Sequence, residues 1–407
     1  MTDTLPDRVA RFFGPAETPG LAVSGGGDSV ALLCLAVQAG LRPVAVTVDH
    51  GLRPEAAAEA DWVAGLCDRL GVPHTVLCWQ GWDRTGNLQD EARRARLRLI
   101  SDWAKGRGLS SVALAHTRDD QAETVVMRLA RRAGVDGLSA MSPRRHHLGI
   151  TWARPLLDVG REELRDYLRA RGQGWIEDPS NEALRFDRVR ARRALTVLGQ
   201  LGITSEVLAD VARQMQSARQ ALERLTADVA RGAMRADRAD VVLSPAALAE
   251  QTDEIARRLL LATISFVAPA DYPPRSGQVM GLLSTLRQGR TATLAGCRFL
   301  RHEGGIRAVR EAKAVGPAAV PGAIWDRRWR VEGPVKPGVE VRALGAQGLA
   351  HCPDWRASGL PRPALLASPA IWSGTELVAA PLARAEAEWR AEPVRGTADL
   401  QLLPLSH

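Results

Sequence analysis

The chain has 407 residues, of which 45% are hydrophobic and 25% are charged, and its formal net charge is +8. This composition excludes a collagen, an intrinsically disordered chain and a disulfide-rich scaffold, and the length suits two or three domains that each bury a core. The sequence has no apolar stretch long enough to span a bilayer and no apolar signal core near its start, so we expect a cytoplasmic protein without a membrane partner.

The first half of the sequence alternates short β-rich apolar runs with amphipathic helical runs. We predict strands over residues 21–23, 44–49, 72–79 and 112–115. We predict helices over residues 30–38, 55–70, 87–105 and 119–133. This alternation is typical of a parallel sheet with helices on both faces. We therefore expect an α/β domain with a doubly wound parallel sheet.

Beyond about residue 200 the pattern changes to longer helical runs followed by short strands. Thr204 or Ser205 is expected to cap a long helix with one apolar face, and this helix is expected to link two domains. Further elements are predicted after it: a helix from residue 245, a helix over 276–286, strands over 291–309 and 325–341, and a linker over 315–322. We predict three domains: the α/β domain over 1–200, a helix-rich α+β domain over 201–314, and a small β-containing domain over 315–407.

The segment Ser24-Gly-Gly-Gly-Asp-Ser29 lies between the first predicted strand and the first predicted helix. Three consecutive glycines let backbone N–H groups approach a phosphate chain, and the following helix presents its positive N-terminus to the same anion. A carboxylate repels phosphates unless a cation lies between them, so we assign Asp28 to Mg²⁺. A plain glycine turn is the alternative, and the flanking strand and helix disfavour it. The predicted phosphate-binding residues are Ser24, Gly25, Gly26, Gly27, Asp28 and Ser29.

This segment resembles the SGGxDS loop of the PP-loop, or N-type, ATP pyrophosphatases, which cleave ATP between the α and β phosphates and transfer AMP to a substrate oxygen. Further motifs follow in the order of the tRNA(Ile)-lysidine synthetase family: 48–54 (VDHGLRP), 87–96, 115–124 (AHTRDDQAET), 137–141 (GLSAM), 154–157 (RPLL) and 177–181 (EDPSN). The resemblance covers about residues 20–195, and the remainder resembles the two C-terminal domains of that family with fewer diagnostic residues.

The resemblance implies an ATP-dependent ligase that adenylates carbon 2 of the wobble cytidine in the CAU anticodon of tRNA(Ile). Free lysine then displaces AMP to give lysidine, which pairs with A instead of G and changes the codon from AUG to AUA. ATP is the implied substrate and Mg²⁺ the implied cofactor. The catalytic site is expected in 1–200, and tRNA discrimination in the two domains that follow.

Two groups of side chains are expected to complete the site. Asp49 and His50 end the second predicted strand, where parallel sheets place ligand contacts, and we assign both to ATP; a strand-end turn with a solvated carboxylate is the alternative. The densest ionisable group of the chain is His116, Asp119, Asp120 and Glu123, which share one face if a helix begins near residue 116.

The lysine step requires a neutral amine, although the ε-amino group has a pKa of about 10.4. A carboxylate in the second group could hold the ammonium and accept its proton, with His116 as an alternative base. Asp119 or Asp120 could instead cap the helix while Glu123 completes a capping box, and the two interpretations are compatible.

The sequence departs from the family pattern at three positions. Thr117 stands where the family usually has a second histidine, and Arg118 where it usually has a small residue. The usual arginine-asparagine pair after residue 181 is Arg188-Val189 here, which puts any role of that amide in nucleotide or RNA contact in doubt.

Arginine is concentrated near the expected site. Residues 128–193 contain 15 arginines and 9 acids, whereas residues 317–407 contain 10 bases and 9 acids. This distribution favours a localised nucleic-acid surface, although a GC-rich genome would also enrich arginine. The predicted tRNA-binding residues are Arg185, Arg188, Arg190, Arg192 and Arg193, with a solvated helix face as the alternative. Five tryptophans of the C-terminal region could stack on bases, but a core role is favoured.

Two rival functions are weighed against the lysine ligase. A PP-loop tRNA thiolase commonly relies on paired cysteines, and the five cysteines here include no CxxC pair. A non-catalytic RNA-binding protein on a decayed nucleotide fold is disfavoured by the intact 24–29 loop and by the pair Asp119-Asp120. The oligomeric state stays open, with a homodimer as one option.

Overall fold

A computed structural model describes residues 3–14, 17–51, 55–79, 88–177, 187–270, 272–334 and 337–405. The chain divides into two compact units, Met1–Arg219 and Gln220–His407, and the boundary falls inside one long helix. The predicted three-domain division with boundaries at 200 and 314 stays a prediction. In the described ranges, no helix has both the length and the apolar character that a membrane span requires.

The first unit is built on a sheet of six described strands. These are β1 (Gly20–Ala22), β2 (Val44–Asp49), β3 (His74–Cys78), β4 (Ser111–Ala113), β5 (Arg144–His147) and β6 (Ile150–Ala153). The helices are α1 (Leu5–Phe13), α2 (Gly27–Gln38), α3 (Glu55–Leu70), α4 (Leu88–Gly106), α5 (Arg118–Ala130), α6 (Val135–Leu138), α7 (Arg161–Arg169), α8 (Asp187–Gly199) and α9 (Ser205–Ala233). The predicted strands and helices of the first half are all present, with shifts at their ends.

The strand order in this sheet is β3-β2-β1-β4-β6-β5. Neighbouring strands from β3 to β6 run parallel, and β5 alone pairs antiparallel with β6 at the edge. Helices pack on both faces, because α2 and α7 share one core with Leu21 while α4 shares a second core with Val112. The predicted α/β class is confirmed, and the edge hairpin β5–β6 is an addition that the sequence reasoning lacked.

The second unit combines helices with antiparallel sheets. Its strands are β7 (Met234–Asp237), β8 (Asp240–Leu243), β9 (Ala292–Leu294), β10 (Cys297–His302), β11 (Gly305–Arg310), β12 (Ile324–Trp325), β13 (Trp329–Glu332), β14 (Val339–Ala343), β15 (Pro369–Ser373), β16 (Glu376–Ala379) and β17 (Arg390–Pro393). Its helices are α10 (Pro245–Glu250), α11 (Asp253–Val267), α12 (Ser276–Arg287), α13 (Gly345–Ala350), α14 (Arg362–Leu366) and α15 (Thr397–Leu402). The sheets have the orders β7-β8-β11-β10-β9, β12-β13-β17 and β14-β15-β16.

Tryptophans form much of the C-terminal core in this unit. Trp325, Trp329, Trp372 and Trp389 are buried, and Trp355 is half-buried. The favoured core role of these residues is therefore confirmed for four of the five. The side chain of Trp355 stacks under the guanidinium of Arg356, 4.5 Å from the ring centre.

A buried ionic cluster joins the first sheet of this unit to β13. The guanidinium of Arg307, on β11, donates to Asp240 at 3.1 Å and to Asp237 at 2.8 Å. Arg328 lies within 3.5 Å of the same Asp240 carboxylate and within 3.7 Å of Asp326. Burial raises the pKa of Asp240 even though both guanidinium groups oppose this shift. Removing Asp240 would leave two buried guanidinium groups with only one carboxylate each, Asp237 for Arg307 and Asp326 for Arg328.

Candidate active site

The predicted phosphate loop and the predicted ionisable group lie at the same edge of the sheet. Strand β2 lies on one side of β1 and β4 on the other, so the strand order reverses between β1 and β4. Residues 24–29 follow β1, and His116 lies just beyond β4. Ligands of open α/β sheets bind beyond the carboxyl ends of strands at such a switch point. The topology therefore brings together two groups that are about 90 residues apart in sequence.

The loop after β1 is shaped for a close approach by backbone groups. Gly25 has φ +86°, and a Cβ atom there would lie 2.6 Å from Cδ1 of Ile176. The positive φ favours glycine, and a Cβ atom would also force the Ile176 side chain to move. Ser29 is buried and its hydroxyl donates to the Gly26 carbonyl at 2.9 Å, while the backbone N–H of Ser24 donates to Ser29 Oγ at 3.2 Å. Helix α2 begins at Gly27, so its N-terminal N–H groups face the position expected for phosphate.

Asp28 is the carboxylate of this loop. Arg161, the first residue of α7, donates from Nε to Asp28 Oδ2 at 3.2 Å. Burial raises the pKa of Asp28, and the charge of Arg161 only partly opposes that shift. Within the ranges listed above, no three His, Cys, Asp or Glu side chains converge as a metal cage. A single carboxylate beside a phosphate loop nevertheless fits Mg²⁺, which commonly uses one or two carboxylates together with substrate phosphates.

Helix α5 begins at Arg118, two or three residues before the start expected if Asp119 or Asp120 were its N-cap. Thr117 is its N-cap, and the backbone N–H of Thr117 donates to Asp120 Oδ2 at 2.8 Å. The capping box is therefore Thr117 with Asp120, and the alternative of Asp119 or Asp120 with Glu123 is wrong. Threonine is an effective N-cap, so the residue that replaces the usual histidine has a defined structural role.

Arg161 connects the carboxylates of the site. Besides Asp28, its guanidinium contacts Asp120 Oδ1 at 3.2 Å and Glu123 Oε1 at 3.5 Å. Burial opposes ionisation of Asp120, but the charge of Arg161 brings the pKa of Asp120 below its usual value. Conversely, burial opposes the charge of Arg161, and the three carboxylates raise its pKa above the ordinary value. The sequence reasoning missed Arg161, because an arginine at a helix start carries no motif.

The remaining carboxylates are also held by the protein. The backbone N–H of Arg161 donates to Asp119 Oδ2 at 2.7 Å, and Ser205 Oγ lies 3.4 Å from Asp119 Oδ1. Glu123 is only 1% exposed, and Arg192 of α8 donates to its Oε1 at 3.0 Å. The other oxygen, Glu123 Oε2, is buried with no hydrogen-bond partner in the described part of the chain. The predicted ionisable group is thus a connected cluster around Arg161.

Asp49 and His50 end β2 beside the phosphate loop. Asp49 Oδ1 accepts from the backbone N–H of Gly51 at 2.8 Å, as expected for the strand-end turn. His50 lies edge-on to Trp79, with ring centres 6.1 Å apart. Burial and the charge of Arg96 hold the pKa of His50 below its ordinary value. His50 is therefore a neutral ring at the edge of the cleft.

Arg96 of α4 ends the motif over residues 87–96, and the sequence analysis gave it no role of its own. Burial and the charges of Arg93 and Arg188 lower the pKa of Arg96. The charge of Arg96 reaches both His50 and His116. Among the described residues no carboxylate forms an ion pair with Arg96, and the neighbouring charges that lower its pKa are both arginines.

The predicted tRNA-binding arginines lie on α8, apart from Arg185, which lies outside the described residues. Arg188, Arg190, Arg192 and Arg193 are exposed. Arg190 pairs with Asp187, and Arg192 with Glu123, so these two are partly neutralised. Val189 is buried, so an apolar side chain suits the position where the family usually has an amide.

The loop, the helix N-terminus and the carboxylate cluster at the switch point define an ATP-binding domain of the PP-loop class. The family model for the PP-loop domain matches residues 2–198. The chain is 51% identical to a tRNA(Ile)-lysidine synthase of Ruegeria pomeroyi over 398 residues, which cover 97% of this chain and 95% of that protein. It is 42% identical to a tRNA(Ile)-lysidine synthase of Methylobacterium nodulans over 66% of this chain and 80% of that one.

The chain therefore belongs to the tRNA(Ile)-lysidine synthase family, as the motifs predicted. Among solved structures, it is similar to a U34-tRNA thiolase of Methanococcus maripaludis, with 14% identity and a TM-score of 0.46 over 53% of this chain and 77% of that one.

Proposed function

We propose that this enzyme adenylates carbon 2 of the wobble cytidine in the CAU anticodon of tRNA(Ile) and then attaches free lysine to form lysidine. The observation that carries the proposal is the glycine loop facing a buried carboxylate–arginine cluster, in a chain that matches its family over nearly its whole length. AMP and diphosphate are the other products. The modified base would change the codon from AUG to AUA.

The adenylation step requires ATP to be held while charge moves to the leaving diphosphate. The backbone N–H groups of residues 24–29 and the N-terminus of α2 would bind the phosphates. Asp28 would hold Mg²⁺, which supplies positive charge to the phosphates when bound. We assign the positive charge of Arg96 and the neutral ring of His50 to contacts with the nucleotide, because the two side chains interact and His50 directly follows the strand beside the phosphate loop. The C2 oxygen of cytidine attacks the α-phosphate, and diphosphate leaves.

In the lysine step, the ε-amine attacks carbon 2, a C–N bond forms, and the C2–O bond breaks as AMP leaves with that oxygen. The ammonium must first lose a proton, because its pKa is about 10.4. Asp119, Asp120 and Glu123 are the carboxylates that could hold the ammonium and receive this proton. Their attachment to one arginine fixes their geometry before the substrate binds.

For tRNA binding we propose phosphate contacts by Arg185, Arg188, Arg190, Arg192 and Arg193. Arginine suits bidentate contact with phosphate. Isoleucine and methionine tRNAs with the same anticodon are identical at the reacting base, so discrimination is assigned to nucleotides read by the rest of the chain. Arg188→Ala and Arg193→Ala should each reduce the salt dependence of tRNA affinity by about one phosphate contact. An unchanged slope of affinity against salt concentration would show that these arginines lie on a solvated helix face and do not contact phosphate.

The deciding assay combines the purified protein with ATP, Mg²⁺, labelled lysine and unmodified tRNA(Ile) bearing a CAU anticodon. We expect label in the RNA, and none in the same tRNA with uridine at the wobble position. Release of AMP without lysine incorporation would refute the lysine assignment and favour another PP-loop tRNA-modifying enzyme. Tight tRNA binding with no AMP release would favour a non-catalytic RNA-binding protein.

Asp28→Asn is the matched test of the loop, since it removes the charge and keeps the shape. It should abolish adenylate formation and leave tRNA affinity within about threefold of the wild-type value.

Sedimentation of the same preparation tests the homodimer option, because a mass near 43.9 kDa would show a monomer.

A further inference from the structure

The side chain of Arg154, the first residue of the motif 154–157, contacts the residue that directly follows the motif 137–141. Arg154 donates from Nη1 to the carbonyl of Ser142 at 2.9 Å. It donates from Nε to Nδ1 of His116 at 3.2 Å. One planar guanidinium therefore links the segment after α6 to the histidine of the candidate active site.

The segment that accepts the hydrogen bond from Arg154, residues 139–142, is itself fixed by side chains. Gln121 makes two hydrogen bonds with the backbone of Met141, at 2.9 Å to its carbonyl and 2.8 Å from its N–H. Gln216 donates to the carbonyl of Ser139 at 2.8 Å. Ala140 between them is buried with φ +49°, a conformation that persists only where neighbours impose it. The acceptor for Arg154 is thus held in place, and the orientation of the guanidinium follows from it.

The contact with His116 determines the tautomer of the imidazole. An arginine Nε can only donate, so Nδ1 of His116 must be the acceptor. The proton of the neutral ring therefore resides on Nε2. The N–H at Nε2 is then the donor that the neutral ring can offer to a substrate oxygen.

The surroundings also oppose protonation of His116. The charged groups around it are Asp120 on α5, Arg154 in the loop after β6, Arg188 on α8 and Arg96 on α4. Burial together with these arginines lowers the pKa of His116 to about 3, although Asp120 opposes the shift. The ring is therefore neutral across the physiological range.

We propose that Arg154 is a positioning residue that holds His116 as a neutral imidazole with its proton on Nε2, and that His116 donates a hydrogen bond to a substrate oxygen. The catalytic part of this proposal rests on the proposed function, whereas the tautomer is a property of the free protein. A neutral imidazole N–H can polarise a carbonyl or phosphoryl oxygen without transferring its proton. In this role His116 keeps its proton on Nε2, so it does not act as the base for lysine.

The tautomer is measured directly by long-range ¹H–¹⁵N NMR of the full-length protein labelled at histidine, with His116→Asn used to assign the resonances. We expect Nδ1 of His116 to be unprotonated and Nε2 protonated, with no titration between pH 5 and pH 8. An Nδ1–H tautomer, or an imidazolium at pH 6, would overturn the proposal without any variant of Arg154. This outcome does not depend on which reaction the enzyme catalyses.

The role of Arg154 is tested with Arg154→Met, and Arg145→Met is the control, because Arg145 places its charge near Arg154. In Arg154→Met, Nδ1 of His116 loses the donor that Arg154 supplies, so we expect the NMR spectrum to show the Nδ1–H tautomer beside the Nε2–H tautomer. The pKa of His116 should rise only in part, because burial, the largest cause of its low value, remains. Arg145→Met should keep the wild-type tautomer. An unchanged tautomer in Arg154→Met would contradict the positioning role.

The donor role is separated from the shape of the ring by two substitutions at residue 116. His116→Asn keeps an N–H donor, and His116→Phe keeps an aromatic ring without one. We expect at least tenfold faster adenylation for the asparagine variant, and equal rates would exclude donation. If all forms, including wild type, fail to modify tRNA while the NMR result holds, the proposed function fails and the tautomer assignment stands.

Discussion

The clearest stability prediction concerns Arg161, which pairs with three carboxylates at once. In Arg161→Met, Asp28 and Asp120 lose their cation, and Glu123 keeps only Arg192. Removing one partner of a buried ion pair typically costs about 3–5 kcal/mol. Asp28 is 25% exposed and Glu123 retains a partner, so the lower end applies. We expect a loss of about 3 kcal/mol, or a decrease of about 6–12 °C in the Tm of a unit of this size.

The measurement is scanning calorimetry together with urea unfolding. Arg165→Met is the matched control, because Arg165 lies on the same helix and makes an exposed pair with Glu162. It should cost less than about 1 kcal/mol. The double variant Arg161→Met with Glu123→Gln should lose less than the sum of the single variants, since the buried charge is then absent.

The pH dependence provides a second check on the same variant. Without Arg161 the folded-state pKa values of the buried carboxylates should rise above their unfolded values. The folded state then binds more protons, so the cost of the substitution should be largest near pH 7 and should shrink as the pH falls toward 5. A cost equal to that of Arg165→Met, or one that grows with acidification, would refute the assignment of Arg161 as the common partner.

Three further substitutions test individual features. Gly25→Ala should cost more stability than Gly40→Ala and should weaken ATP binding, because both glycines have positive φ but a Cβ atom meets a close neighbour only at residue 25; equal costs by urea unfolding would contradict this reasoning. Thr117→Ala should lose about 1 kcal/mol while Thr117→Ser loses little, and an equal loss would mean that the cap hydrogen bond is unimportant. Asp240→Asn should lower the free energy of unfolding of the second unit by about 3 kcal/mol, which a calorimetric transition unchanged from wild type would exclude.

The sequence predicted the elements and the phosphate loop well because their signals are local. The strand 44–49 and the helix 55–70 match the structure at both ends, since a proline, a glycine and the apolar pattern mark their limits. The sequence predicted which carboxylates form the cluster, but it did not predict the arginine that joins them. The centre of the cluster, Arg161, joins residues separated by up to 133 positions, and no local pattern reports such a contact.

The α5 start shows how neighbouring signals can mislead. Asp119, Asp120 and Glu123 offer capping spacings of their own, yet Thr117 with Asp120 satisfies the same spacing of three and forms the capping box. The family pattern marks position 117 only as a departure. The structural reason for its residue type was available from helix-capping chemistry alone.

The burial of tryptophan in the second unit has a spectroscopic consequence. Because Trp325, Trp329, Trp372 and Trp389 are shielded from solvent, their fluorescence should be blue-shifted and poorly quenched by iodide. Of the five indole rings of this unit, only that of the half-buried Trp355 could stack on a base of a bound RNA. Emission from the second unit would therefore report on its folding and hardly at all on tRNA binding, so a titration with tRNA needs a dye or a label on the RNA.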